Sequence, residues 1–227
     1  MKKLVMLAMA LVATLSASAQ IEEGNWYLTP KIGVGIADLT GRLYTDQAEG
    51  TYDYTLRPIT SVVAGLEGQY AFNDNLSIAL GLMYSTQGAK TKDGAFKLAL
   101  DYVNIPLTFQ YYPIAECGLA FKAGVQVGFI TRKKVTIDGV TFNADYSLVS
   151  YRNRWGNTSV DWVESEISKM FNKVDCSIPL AISYELYNFV LDVRYNLGLT
   201  NVMKDDPANS KNSVWQFTLG YKIPVSD

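Results

Sequence analysis

The chain has 227 residues and a formal net charge of −2, which removes the electrostatic reason to expect a nucleic-acid partner. It contains no histidine, so Ser-His, Cys-His and His-metal chemistry are excluded. Aromatic residues reach 12%, with 15 tyrosines; that is more than an ordinary soluble domain needs, and it suits side chains gathered at two membrane interfaces.

Met1-Lys2-Lys3, an apolar run from Leu4 to Leu15 and the small residues Ala17-Ser18-Ala19 form the pattern of a secretory signal peptide. The reading divides the chain into a signal peptide, 1–19, and one domain, 20–227. The apolar run is too short to cross a bilayer as a helix. No comparable uncharged stretch follows it, which leaves a secreted soluble chain or a barrel.

From Trp26 to Thr40 the pattern has period two. Trp26, Leu28, Pro30, Ile32, Val34 and Ile36 fall on one side, and Tyr27, Thr29, Lys31, Gly33, Gly35 and Ala37 on the other. Gly33-Val34-Gly35 lacks the third glycine and the following helix of a dinucleotide loop, so lumen-facing glycines are expected instead. A polar, tyrosine-rich loop from Gly41 to about Pro58 follows. Ile59 to Gln87 then reads as a hairpin around Asn73-Asp74-Asn75, with Val62, Ala64, Leu66, Tyr70 and Phe72, then Leu76, Ile78, Leu80, Leu82 and Tyr84, on the apolar face.

The opposite face of that hairpin decides its environment. It is rich in Gly, Ala and Ser, which suit a water-exposed sheet poorly but fit the crowded interior of a narrow barrel. The bulky face is therefore expected to meet lipid and the small, polar face to line the lumen.

A loop is expected from Gln87 to Phe96. The next strand ends at Tyr112, with Val103, Ile105, Leu107, Phe109 and Tyr111 outward and a bulge expected at Pro106. After a short turn, Leu119 to Ile130 forms a fifth strand. Arg132 to Lys173 is the longest loop, and its apolar residues Val160, Val163, Ile167, Met170, Phe171 and Val174 recur at a spacing that predicts a short amphipathic helix. Its aromatic residues Tyr146, Tyr151, Trp155 and Trp162 are the candidate contacts for a ligand or partner. Asp175 to Leu186 and Phe189 to Asn201 make another hairpin, Val202 to Asn212 a last polar loop, and Ser213 to Ile223 the final strand. Ile105-Pro106-Leu107 and Ile178-Pro179-Leu180 hold matching places, a weak internal repeat.

The sum is an all-β chain: an antiparallel up-and-down transmembrane barrel of about eight strands, with short turns alternating with long loops. Its inward charges are Lys31, Lys122, Arg194 and Lys222 against Glu67, Asp175, Glu185 and Asp192. Buried charges are costly unless paired, so a salt-bridge network filling the lumen is expected. Cys117 falls in a short turn at one end and Cys176 near the long loop at the other, too far apart to bridge. Two free thiols follow.

With the strands assigned, the chain resembles the outer-membrane beta-barrel (porin-like, PorT-type) family of Bacteroidetes. Tyr102-Val103-Asn104-Ile105-Pro106-Leu107, the glycine-spaced strand Gly118 to Gly128, and Arg194-Tyr195-Asn196-Leu197-Gly198-Leu199-Thr200-Asn201 carry the resemblance, which covers roughly Gly24 to Ile223. It implies a location in the bacterial outer membrane, and its secretion-related members imply partner binding. The expected protein is a non-enzymatic barrel with no cofactor and no metal, a plugged lumen, a lipid surround, and surface loops for a protein partner or an extracellular ligand. A small solute-conducting porin and a soluble exported barrel holding a lipophilic ligand stay open as alternatives.

Overall fold

The computed structural model describes residues 22–225 apart from 41–42, 48–49, 55, 92–95, 138–139, 144–145, 153–157, 165–170 and 205–209. The signal-peptide segment 1–19 lies outside the described residues. Fourteen strands are described: β1 Trp26–Thr40, β2 Leu43–Gln47, β3 Gly50–Tyr54, β4 Leu56–Asn73, β5 Leu76–Thr91, β6 Phe96–Tyr111, β7 Leu119–Ile137, β8 Val140–Asn143, β9 Tyr146–Arg152, β10 Thr158–Glu164, β11 Val174–Leu186, β12 Phe189–Asn201, β13 Lys211–Tyr221 and β14 Ile223–Pro224.

Eight of them close a ring. The antiparallel order β11-β12-β13-β1-β4-β5-β6-β7 returns on itself because β7 also pairs with β11, from Val174↔Phe129 to Tyr184↔Leu119. β8 continues the sheet beside the far end of β7, and β14 pairs with β1 at Tyr27↔Pro224. The β2–β3 and β9–β10 pairs are separate two-stranded sheets within the first and third long loops. Closure leaves the barrel wall no unpaired edge, the condition for crossing hydrocarbon with strands.

The alternation of side chains sorts as expected. Ile32, Val62, Leu80, Leu82, Val125, Ile182 and Leu191 are exposed on the outer wall, each more than half accessible. Lys31, Glu67, Gln69, Gln110, Lys122 and Arg194 are buried inside. Aromatic pairs mark both ends of the apolar band. Trp26 and Tyr70 (centroids 4.9 Å apart) and Phe189 and Tyr221 (5.3 Å) stand near the short turns, while Tyr195 and Trp215 (4.8 Å) stand towards the long loops. A concavity of about 680 Å³ opens on this outer wall, where the small Ala123 sits among Phe109, Phe121, Val193 and Trp215.

The short turns explain themselves chemically. The Asn73 carboxamide oxygen accepts the backbone N–H groups of Asn75 and Leu76 (2.9 and 2.8 Å), an Asx arrangement that reverses the chain. Between β6 and β7 a single 3₁₀ turn, Ala115–Cys117, ends at Gly118 with φ +69°, a left-handed conformation that favours glycine. Cys117, in that turn, and Cys176, on β11, are both free thiols.

Several expectations are corrected. The predicted bulge at Pro106 is absent: β5–β6 pairing stops after Leu80↔Leu107 and resumes in the same register at Met83↔Asn104. The ladder loses its bonds there because proline has no N–H, and Gly81 opposite gives the ring room, since a Cβ at Gly81 would lie 2.9 Å from Pro106 Cγ. The same break occurs at Ile178-Pro179 on β11, opposite Gly124 by register, so the internal repeat is a proline-facing-glycine device used twice. The register shift on β6 lies instead at Asp101/Tyr102.

The loops are also shorter than expected. β5 runs on to Thr91, β6 starts at Phe96 and β7 continues to Ile137, so three adjacent strands rise beyond the apolar band. No helix covers Thr158–Glu164, where a helix was predicted: that segment is β10, hairpinned to β9 through pairs such as Trp162↔Leu148. The remainder of the predicted helix, 165–170, lies outside the described residues, and Phe171 forms a bridge to Met203.

Glycine is required where strands approach most closely. A Cβ at Gly124 would stand 1.9 Å from the Leu107 carbonyl oxygen on β6. Gly124→Ala must push β7 away from β6, and a loss of about 1–3 kcal/mol is expected. Urea unfolding from lipid vesicles reads it directly as a lower midpoint.

Candidate functional site in the barrel lumen

Small residues make room for the charges. Lys31 on β1 lies opposite Gly65 on β4, while Glu67 is two residues further along β4, opposite Thr29. With no side chain at Gly65, Lys31 leans diagonally and its Nζ reaches Glu67 Oε1 at 2.7 Å. Across the lumen, Ala181 on β11 is paired on one side with Lys122 of β7 and on the other with Arg194 of β12. Two long cations thus flank a methyl group and can extend inward.

Five charges meet at the centre. Arg194 Nη2 lies 3.2 Å from Glu67 Oε2, and Lys122 Nζ lies 3.8 Å from Glu67 Oε1. Asp192 Oδ2 is 3.0 Å from Lys122 Nζ and 3.6 Å from Lys31 Nζ, and its Oδ1 is 3.6 Å from Arg194 Nε. Three cations therefore share two carboxylates, all five side chains nearly inaccessible to solvent. β4 is three places round the ring from both β7 and β12, so the Glu67 contacts bridge opposing walls.

Two of the remaining charges form a second group nearer the short turns. Lys222 pairs with Glu185, which also accepts from the Tyr112 hydroxyl at 2.8 Å. The Tyr112 oxygen in turn accepts from Gln69 Nε2 (3.0 Å), and Lys222 Nζ lies over the rings of Tyr27 and Tyr112 at 5.3 and 5.7 Å. Gln110 Nε2, 3.4 Å from Glu67 Oε1, links this group to the central five. Asp175 departs from the expected network. It makes no ion pair among the described residues and accepts instead from Thr200 Oγ1 at 2.7 Å.

Neutral amides and hydroxyls fill the next layer towards the loops. Gln126 Nε2 donates to Asn104 Oδ1 (3.3 Å) and Ser177 Oγ (3.2 Å), and Asn104 Nδ2 donates to Ser85 Oγ (3.0 Å). Above it lies an apolar cluster that includes Leu39, Leu98, Leu100, Tyr102, Phe171 and Val202. A smaller apolar group at the short-turn end joins Tyr27, Ala71, Tyr112 and Ala120. Reading the inward positions alone missed the upper cluster. Its signal is present in the alternation Lys97, Leu98, Ala99, Leu100, Asp101 at the start of β6.

The loop candidates are not brought together with these residues. Tyr146 and Tyr151 lie on β9 and Trp162 on β10, in a register that sets Tyr146 opposite Glu164 and Tyr151 opposite Ser159. Trp155 lies outside the described residues. Among the described residues, no group of three or more metal-ligating side chains stands together, and no helix is long and apolar enough to cross a membrane.

A closed eight-stranded barrel with an aliphatic exterior, aromatic ends and a charged interior is an outer-membrane β-barrel. The chain belongs to the outer membrane protein beta-barrel domain family, whose model matches residues 18–204. That assignment places it in the bacterial outer membrane and, with Leu66 and Val125 exposed on the wall, removes the soluble exported barrel as a reading.

The fold is similar to that of Ail from Yersinia pestis, solved in complex with the heparin analogue sucrose octasulfate (14% identity, 88% of this chain and 99% of that chain, TM-score 0.45). It is also similar to Neisserial surface protein A (12%, 88% and 99%, TM-score 0.44) and to OprG from Pseudomonas aeruginosa (14%, 90% and 98%, TM-score 0.42). No curated protein matches the sequence.

Proposed function

We propose that the protein is a non-enzymatic outer-membrane barrel whose lumen is closed to solutes and whose extracellular loops meet a ligand or partner. The supporting observation is the five-charge cluster: Glu67 and Asp192 tie β1, β4, β7 and β12 together across the axis. An interior of eight strands is only wide enough for side chains, and here ion pairs, amides and two apolar layers occupy it. With the lumen occupied, the loops are the part of the chain available for recognition. Tyr146, Tyr151, Trp155 and Trp162 of the long loop 132–173 are the candidate contacts.

The same reading makes residues 1–19 a signal peptide removed on export and 20–227 the mature domain. It also places the chain with the PorT-type proteins of Bacteroidetes, on the strength of Tyr102–Leu107 and Arg194–Asn201. Planar-bilayer recording tests the closed lumen. The reconstituted protein should give no reproducible unitary current steps, and stable steps of one size would reject this reading in favour of a small porin.

A further inference from the structure

The sheet above the apolar band carries a second charged feature that the lumen does not explain. In the register of β4, β5 and β6, Arg57 pairs with Lys90, and Lys90 pairs with Lys97. Directly opposed residues of an antiparallel sheet share a face, so three cations stand side by side in one row, an arrangement that destabilises a sheet on its own. All three are exposed. The rows below add Lys134, paired with Ala99, and Arg132, paired with Asp101. The one carboxylate among these described positions, Asp101, is already held by Lys134 Nζ (3.0 Å) and Thr86 Oγ1 (2.7 Å).

The height of this face is set by its neighbours. Val62, Tyr84 and Phe129 are the last lipid-exposed side chains of β4, β5 and β7, and the next outward position on β5 is Thr86. Apolar wall gives way to hydroxyls and ammonium groups within one step, as at the level of lipid head groups. A groove of about 450 Å³ straddles that step, lined by Val62 and Tyr84 below and by Thr60, Thr86, Lys97 and Lys134 above.

We propose that this outward face binds the phosphate groups of a phosphorylated glycolipid of the outer leaflet, with its acyl chains against Val62 and Tyr84 and its phosphates against Lys97, Lys90 and Arg57. Continuity with the lipid-facing wall selects a membrane lipid over a soluble polyanion. The proposal is independent of whether the lumen conducts.

The test uses the full chain refolded into phosphatidylcholine vesicles containing bis-phosphorylated lipid A, then extracted and examined by native mass spectrometry for retained lipid. The wild type should retain lipid A. The variant R57Q/K90Q/K97Q, with unchanged heat-dependent gel migration, should bind it more weakly by on the order of a hundredfold, about fivefold for each charge removed. Should the triple variant fail to fold, the single variants Arg57→Gln and Lys90→Gln each carry the fivefold expectation, and Lys97→Arg should retain wild-type binding. Equal retention by the neutralised variants, or equal retention of dephosphorylated lipid A, overturns the proposal. So does wild-type protein that binds soluble heparin but retains no lipid A.

Discussion

Replacing Glu67 with glutamine should destabilise the barrel by about 3–5 kcal/mol, the range expected when one partner of a buried ion pair is removed. The side chain keeps its size, so packing is nearly constant and the effect is electrostatic. Lys31, Lys122 and Arg194 would be left sharing Asp192 alone, at 3.6, 3.0 and 3.6 Å. Denaturant unfolding from phosphatidylcholine vesicles, followed by tryptophan fluorescence, measures the loss. Removing a cation as well, in the double variant Glu67→Gln with Lys31→Met, should recover a large part of it, because the excess of cations over carboxylates in the cluster then returns to its wild-type value. An unchanged unfolding midpoint in Glu67→Gln would mean that the cluster does not hold the wall together.

Leu80→Arg should be the most damaging change on the outside. Leu80 is 56% exposed and stands midway along the lipid-facing residues Leu76 to Tyr84 of β5. An arginine near the bilayer midplane costs about 2–4 kcal/mol in such barrels. Folding yield into vesicles, scored as the fraction with altered migration in unboiled gels, should fall steeply. Asp74→Arg, at the exposed Asn73–Asn75 turn, should leave it near the wild-type level. Equal yields for the two would contradict the assignment of the outer face.

The facing of the barrel strands was legible because lipid and lumen impose opposite demands on alternate residues. Leu80 beside Gly81, or Val193 beside Arg194, can satisfy both demands in one register only. What the sequence could not convey is which inward charges meet. Lys31 reaches Glu67 because Gly65 stands opposite it, and Lys122 reaches Glu67 only through closure of the ring. Those contacts depend on the stagger of the strands, a property of the whole sheet. Asp175 carried the same inward signature as Asp192, yet among the described residues it makes no ion pair and is held by a threonine.

The long loop failed for a different reason. Val160, Val163 and Ile167 match a helical stripe, but Thr158, Val160, Trp162 and Val163 are also β-branched or aromatic residues with a preference for strands. Over seven residues the two periods are not separable, and the pairing partner, Tyr146–Arg152, settles the matter only once both segments are seen together. The upper reaches of the strands were missed because Arg57, Lys90 and Lys134 read as loop chemistry. They are the solvent side of a sheet that has left the hydrocarbon.

That departure gives the molecule a parapet. From Tyr84 to Thr91 the β5 wall climbs seven residues past its last lipid-facing ring, which at about 3.4 Å per residue and a lean of roughly 40° lifts its rim about 20 Å clear of the acyl boundary. A macromolecule approaching along this side of the barrel would meet that rim before it reached the bilayer.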